Sequence, residues 1–193
     1  MINIGIIRYP GSNCDIETMN YFKFYHSNNE CFYIWHNSND ITILDKINLL
    51  VLPGGFAFGD RIYNKATEEY KISPGTMAVQ SPVTNLIIEA VKRKIPILGI
   101  CNGFQILTQL GLLPGKLVIN NCQKFVCKKT KCIINYEDYE STSDLYIANS
   151  FGNYINEDKL TSQYSYFLKY ANNIEGNIST VAGVLDKKNK IIG

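Results

Sequence analysis

Gly99-Ile100-Cys101-Asn102-Gly103-Phe104-Gln105 places a thiol between two glycines, directly after the apolar run Ile95-Pro96-Ile97-Leu98 and directly before the helical pattern Ile106, Leu107, Leu110. This order predicts a nucleophile elbow, in which a buried strand turns sharply into a helix and presents Cys101 at the corner. Glycines must flank such a turn, because backbone segments meet there and the central residue is strained. At a helix N-terminus the unpaired amides and the positive end of the dipole favour thiolate over thiol, so Cys101 is expected to be an activated nucleophile. The chemistry that suits it is acyl transfer.

Acyl transfer needs donors for the oxyanion, and Leu49-Leu50-Val51-Leu52-Pro53-Gly54-Gly55-Phe56 offers them: an apolar strand ending in a glycine pair whose amides can turn inward. Gly54 and Gly55 are the candidates there, and the amide of Asn102, just after the nucleophile, is the third. One such donor is typically worth about 2.7–4 kcal/mol of transition-state stabilisation. Taken singly, each piece has a plainer reading, since a free Cys is often a small buried hydrophobe and strand–Gly–Gly turns occur in any open α/β sheet. Together, in this order and with Gln105 one turn into the helix, they point to a site.

The elements that must position these residues follow from hydrophobic periodicity. Strands are expected at 2–7, 30–35, 49–52 and 97–100, and helices at 15–25, 81–93 and 104–110. Strands alternating with helices imply an α/β fold built on a doubly wound, mostly parallel sheet. Both the Gly54-Gly55 turn and Cys101 then fall at the carboxyl edge of the strands, where such sheets bind ligands. After Gly115 the pattern changes to stretches rich in Val, Ile, Phe and Tyr at 124–134, 144–148 and 164–170, which suggests an antiparallel extension with hairpins. Residues 60–75 are long for a structureless connection and read either as a lid or docking segment or as a solvated insertion.

The 193 residues suit one domain, with 46% hydrophobic and 19% charged residues. A net charge of +2 with scattered lysines argues against a nucleic-acid binder, and Lys128, Lys129 and Lys131 read as a solvated strand face or hairpin end. No apolar stretch is long enough to span a membrane, and residues 1–7 read as a first strand rather than a signal peptide. Of six cysteines, Cys122, Cys127 and Cys132 lack zinc-site spacing and a neighbouring His, so no metal is expected and reduced thiols in the cytoplasm are the simpler account. There is no Gly-x-x-x-x-Gly-Lys-Ser/Thr loop, so ATP chemistry belongs elsewhere.

The chain resembles the glutaminase subunits of phosphoribosylformylglycinamidine synthases, a class I (triad-type) glutamine amidotransferase family with a flavodoxin-like fold. The likeness runs through Tyr9-Pro10-Gly11-Ser12-Asn13-Cys14-Asp15, Trp35-His36, Leu52-Pro53-Gly54-Gly55-Phe56 with Gly59-Asp60, Leu98 to Leu107, Leu110 to Gly115, Asn177-Ile178 and Ala182-Gly183-Val184. It implies that Cys101 forms a glutamyl thioester with the side-chain amide of glutamine, that Gly55 and Asn102 supply oxyanion amides, and that Gln105 holds substrate. It also implies no cofactor in this chain, with ATP and Mg on a larger synthetase subunit of the same pathway, joined in some assemblies by a small accessory subunit.

Two segments depart from the family pattern. The family's general-base His and its supporting Glu lie in a His-Pro-Glu segment just after a Val/Ile-Gly strand end, whereas this sequence stops at Ile191-Ile192-Gly193 and is expected to be shortened at its C-terminus. Its two histidines, His26 and His36, both precede the elbow. His26 is expected at the exposed end of the first helix, and His36 could line the carboxyl edge of the sheet. The second departure is Asn149-Ser150-Phe151, where relatives carry a His-Gly-Glu-type segment near the active-site mouth. These departures leave a non-catalytic relative that keeps the fold and docking surface as the alternative.

Overall fold

The computed structural model describes residues 2–25, 28, 30–60, 73–157, 160–174, 176, 177 and 179–193. The first half alternates as read: β1 (Asn3–Arg8), α1 (Asp15–Tyr25), β2 (Glu30–Trp35), β3 (Leu49–Leu52), α2 (Val83–Lys92), β4 (Ile97–Gly99) and α3 (Asn102–Gln109). Then come β5 (Lys116–Val118), β6 (Val126–Tyr136), β7 (Tyr139–Asn149), β8 (Asn153–Ile155), β9 (Tyr164–Tyr170), β10 (Val181–Asp186) and β11 (Ile191–Ile192). His26 and residues 61–72 of the 60–75 loop lie outside the described residues, although the loop's two ends are joined by a bond from Gly75 N–H to Asp60 Oδ2 (2.9 Å).

Among the described residues nine strands form one sheet in the order β2-β1-β3-β4-β11-β10-β9-β6-β7, and β5 pairs with β8 in a separate ribbon. The β2-β1-β3-β4-β11 part is parallel; from β10 to β7 the pairing is antiparallel. The parallel strands are nearly continuous apolar runs because both faces are covered. Ile4, Ile6 and Val51 pack under Met19 and Phe22 of α1, while Ile7, Leu50, Leu52 and Ile97 pack under Val83, Leu86, Ile87 and Ala90 of α2 and Ile106 and Leu107 of α3. No helix among the described residues is long and apolar enough to cross a membrane.

Boundaries moved where caps and polar residues outweigh periodicity. The helix expected over 81–93 is preceded by a short turn at Ala78–Gln80 and begins at Val83, after the helix-starting Pro82. The helix expected from Phe104 begins at Asn102, so its exposed amides lie at the thiol itself. Of the hairpin strands, β6 has the expected length but lies two residues later, and β7 is eleven residues and longer than expected, because paired backbone carries the polar stretch 139–143 that hydropathy alone leaves out. The short strands β5, β8, β10 and β11 had no separate signature. The lysines at 128, 129 and 131 lie exposed on β6, with Lys129 paired to Asp144 across the hairpin (3.1 Å).

Candidate active site

Cys101 stands between β4 and α3 at φ 53°, ψ −103°, a conformation strained for any residue but glycine. The flanking glycines are required by close approach. A Cβ at Gly99 would lie 2.8 Å from the Gly103 carbonyl, and one at Gly103 would collide with the Leu52 carbonyl oxygen. The elbow is thus clamped between its own helix and strand β3, and Ile100 N–H donates to Leu52 O (2.9 Å) to hold it there.

The turn after β3 comes to the same corner. Gly55, at φ 139°, packs so tightly on the Gly11-Ser12-Asn13 turn that a Cβ would sit 2.7 Å from the Asn13 nitrogen, and Phe56 N–H donates to Gly11 O (2.9 Å). The backbone N–H groups of Gly55 and Asn102 both face the Cys101 sulfur. Gly54 contributes differently: its carbonyl accepts from Cys14 N–H (3.4 Å), and the missing side chain leaves Cys101 and Cys14 in contact with the same small space, 3.5 and 3.6 Å from where a Cβ would be.

Thiol activation at this corner runs against expectation. Cys101 is solvent-exposed at the corner, yet desolvation by the protein packed around it pushes its thiol up; the amide of Asn102 opposes the rise, neighbouring Cys14 adds to it and the Gly55 amide offsets some of it. Desolvation disfavours the thiolate more than two amides favour it, so the elbow alone does not yield a depressed pKa. Two backbone amides directed at one sulfur are donors of the kind an oxyanion hole uses.

Asn102 and Gln105, on the first turn of α3, form a buried polar chain. Asn102 Oδ1 accepts from Ala57 N–H (3.0 Å), and its Nδ2 donates to Asp60 Oδ2 and Gln105 Oε1 (2.9 Å each). Gln105 Nε2 donates in turn to Phe151 O (3.0 Å). Both ends of the Gln105 amide are therefore engaged with protein, and it reaches the cavity as part of the wall, with one hydrogen and one lone pair to spare. Burial raises the Asp60 carboxyl, against the hydrogen bonds from Asn102 and Gly75.

Two cavities meet at Cys101. One, of about 280 Å³, is lined by Gly55, Asp60, Asn102, Gln105 and the 148–151 segment; the other, of about 290 Å³, lies under the hairpin and takes in Phe104, Cys132, Tyr170, Ile192 and Gly193. The altered Asn149-Ser150-Phe151 segment thus lies at the mouth, where the sequence placed it. His36 does not come to the corner. Its ring packs between Trp35 and Phe58 (5.0 and 5.1 Å), and its backbone bonds run to Arg8 and Val83. Because β11 runs parallel beside β4, with Ile192 opposite Leu98, Gly193 ends next to the strand that leads to Cys101.

Sequence reasoning gave no role to the asparagines that hold the mouth segment: Asn120 carried no signal, and Asn177 entered only through the family likeness; both are buried. It also missed Tyr170, which lines the second cavity and is pushed up to about 12 by burial. Asparagine ordinarily signals a turn, so a buried network of them has no distinct mark in one sequence.

A family model for the CobB/CobQ-like glutamine amidotransferase domain matches residues 1–193. The phosphoribosylformylglycinamidine synthase subunit PurQ of Prochlorococcus marinus is 36% identical over 210 residues, covering 100% of this chain and 88% of the relative. The chain belongs to this amidotransferase family, in its PurQ branch. The subunit PurQ of Zymomonas mobilis is 31% identical, covering 98% of this chain and 85% of its own length. Among solved structures, a chain from the structure of PurLQS from Thermotoga maritima superposes with a TM-score of 0.83 at 30% identity, over 100% of this chain and 86% of that one. A glutamine amidotransferase from the same organism, at 16% identity and a TM-score of 0.63 over 100% of this chain and 74% of its own, shares the fold.

Proposed function

We propose that this chain is the glutaminase component of a phosphoribosylformylglycinamidine synthase. It hydrolyses glutamine to glutamate and ammonia and passes the ammonia to a larger synthetase subunit, which makes formylglycinamidine ribonucleotide in purine biosynthesis. The observation that carries this reading is the pair of amides, Gly55 and Asn102, facing the Cys101 sulfur at the mouth of a cavity of about 280 Å³. That volume is near the small end of ligand pockets and suits an amino acid rather than a nucleotide. Free thiols at all six cysteines and the metabolic role fit the cytoplasm. ATP and Mg act on the partner, and this chain needs no cofactor for the amide step.

In this mechanism Cys101 Sγ attacks the side-chain amide carbon, and the negative charge that develops on oxygen meets the Gly55 and Asn102 amides. The C–N bond breaks as the nitrogen takes a proton, ammonia leaves, and water cleaves the thioester to give glutamate and the free thiol. The proton transfers call for a base within about 2.6–3.2 Å of the reacting groups. No described His meets Cys101, and Gly193, at the end of β11, lines the same cavity as the thiol. The alternative of a non-catalytic relative has no support from the comparisons.

The test is steady-state glutamine hydrolysis with the synthetase subunit, its nucleotide substrates and glutamine present. Residues 1–193 are expected to turn over at least about 10⁴-fold more slowly than the same chain carrying a His-Pro-Glu tail after Gly193, the usual cost of losing a triad base. Turnover at tens per second without the tail contradicts this mechanism, and no association with the synthetase contradicts the assignment.

A further inference from the structure

One side chain makes most of the bonds that hold the mouth segment 149–152. Asn120, just past β5 and fully buried, donates from Nδ2 to Asn149 O (3.0 Å), to Asn149 Oδ1 (3.1 Å) and, at longer range, to Lys124 O (3.4 Å). Its Oδ1 accepts from Gly152 N–H (3.2 Å) and from Asn177 Nδ2 (3.1 Å), and its own backbone N–H donates to Ser150 O (2.8 Å). One amide thus bridges the first and last residues of the segment, while Phe151 between them is tied to Gln105.

Both hydrogens and both lone pairs of the Asn120 amide are used, which fixes its orientation: the nitrogen must face a carbonyl and the oxygen a backbone N–H. Asn177 sets it from behind, with Oδ1 accepting from Asn121 N–H (2.9 Å) and its carbonyl held by Asn173 (2.7 Å). A Cβ at Gly152 would collide with the Asn149 side chain, so the segment is closely wound around this network. Asn149 also bonds the Tyr170 hydroxyl, which continues the wall into the second cavity.

We infer that Asn120 is a positioning residue for substrate recognition: it touches neither Cys101 nor the cavity, and it sets the shape of the 149–152 wall of the cavity that receives the substrate beside Cys101. This rests on the reading of the site as a glutamine pocket. It predicts that a defect at Asn120 weakens recognition of a glutamine-shaped molecule and spares the intrinsic reactivity of the thiol.

The experiment compares covalent labelling of Cys101 by 6-diazo-5-oxo-norleucine, which has the shape of glutamine, with labelling by iodoacetamide, which does not. In N120A the half-saturating concentration of the diazo compound is expected to rise about tenfold or more, with its limiting rate and the iodoacetamide rate within about twofold of the unaltered chain. N120D, which keeps the shape but loses both donors toward Asn149, should behave like N120A. N177A, which removes one bond onto Asn120 and serves as the second variant should N120A not fold, should move the same parameter by about threefold. Parallel changes with both reagents, or no change in half-saturation in either N120A or N177A, overturn the role of Asn120. A native chain that shows no saturable preference for the glutamine-shaped reagent overturns the glutamine reading itself.

Discussion

On the Cys101 side of the cavity, the polar atoms aimed at the reacting position come from the backbone. The Gly55 and Asn102 amides are directed by glycine turns pinned between parallel strands and their helices, and no side chain has to choose a rotamer to place them. On the opposite side, the 149–152 segment lies at the end of a long antiparallel hairpin and is directed by side-chain amides, Asn120 and Asn177. The comparison teaches where this architecture tolerates change. The backbone-built side admits little, because a single added Cβ meets main chain. The side-chain-built side admits exchange of its cavity-facing residues, as at Ser150 and Phe151, provided the asparagines behind them still hold the loop.

The sharpest way to break this comparison is to add one methyl on the backbone-built side. Gly55→Ala puts a Cβ 2.7 Å from the Asn13 nitrogen at a φ of 139° that alanine rarely adopts, so the turn must move and its amide with it. Labelling of Cys101 by the diazo compound, measured by stopped-time mass spectrometry, should fall about 10²–10³-fold, the usual cost of a lost oxyanion donor. A fall of less than about threefold would show that the amide is not placed by the turn.

A smaller effect sharpens the same point through pH. Desolvation by the surrounding protein holds the Cys101 thiol above its ordinary value, so the folded chain keeps the proton where a free thiol has lost it. Alkylation of Cys101 by iodoacetamide should therefore still climb with pH beyond about 8.5, where a free thiol is half ionised. By linkage, stability contributed by the protonated thiol is present below the unfolded value and is lost as pH rises toward the folded one. A rate that levels off below pH 7 would mean that the helix terminus outweighs desolvation.

The two sides also differ in how readily they were read. The limits of α1, β2 and β3 follow directly from apolar runs and turn residues, and the elbow and glycine pair from residue types whose spacing has few other uses. What lay beyond reach was set by long-range contact. Strand β11 is two residues long and exists because β4 and β10 leave a place between them; Gln105 is tied into the cavity wall because Asn102 and Phe151 claim its amide. The thiol's ionisation departs from the expected activation for a similar reason. A helix N-terminus is visible in sequence, whereas the protein packed around it is not.

The central claim is that Cys101 is the nucleophile of a glutamine pocket, and labelling followed by peptide mapping tests it most directly. The chain is treated with 6-diazo-5-oxo-norleucine, with and without excess glutamine, and digested. The account predicts one adduct per chain, on Cys101, suppressed by glutamine and absent in Cys101→Ala, because recognition by the pocket rather than a lowered pKa selects this thiol. Adducts spread over Cys14, Cys122 and Cys127, or labelling of Cys101 indifferent to glutamine, would contradict it.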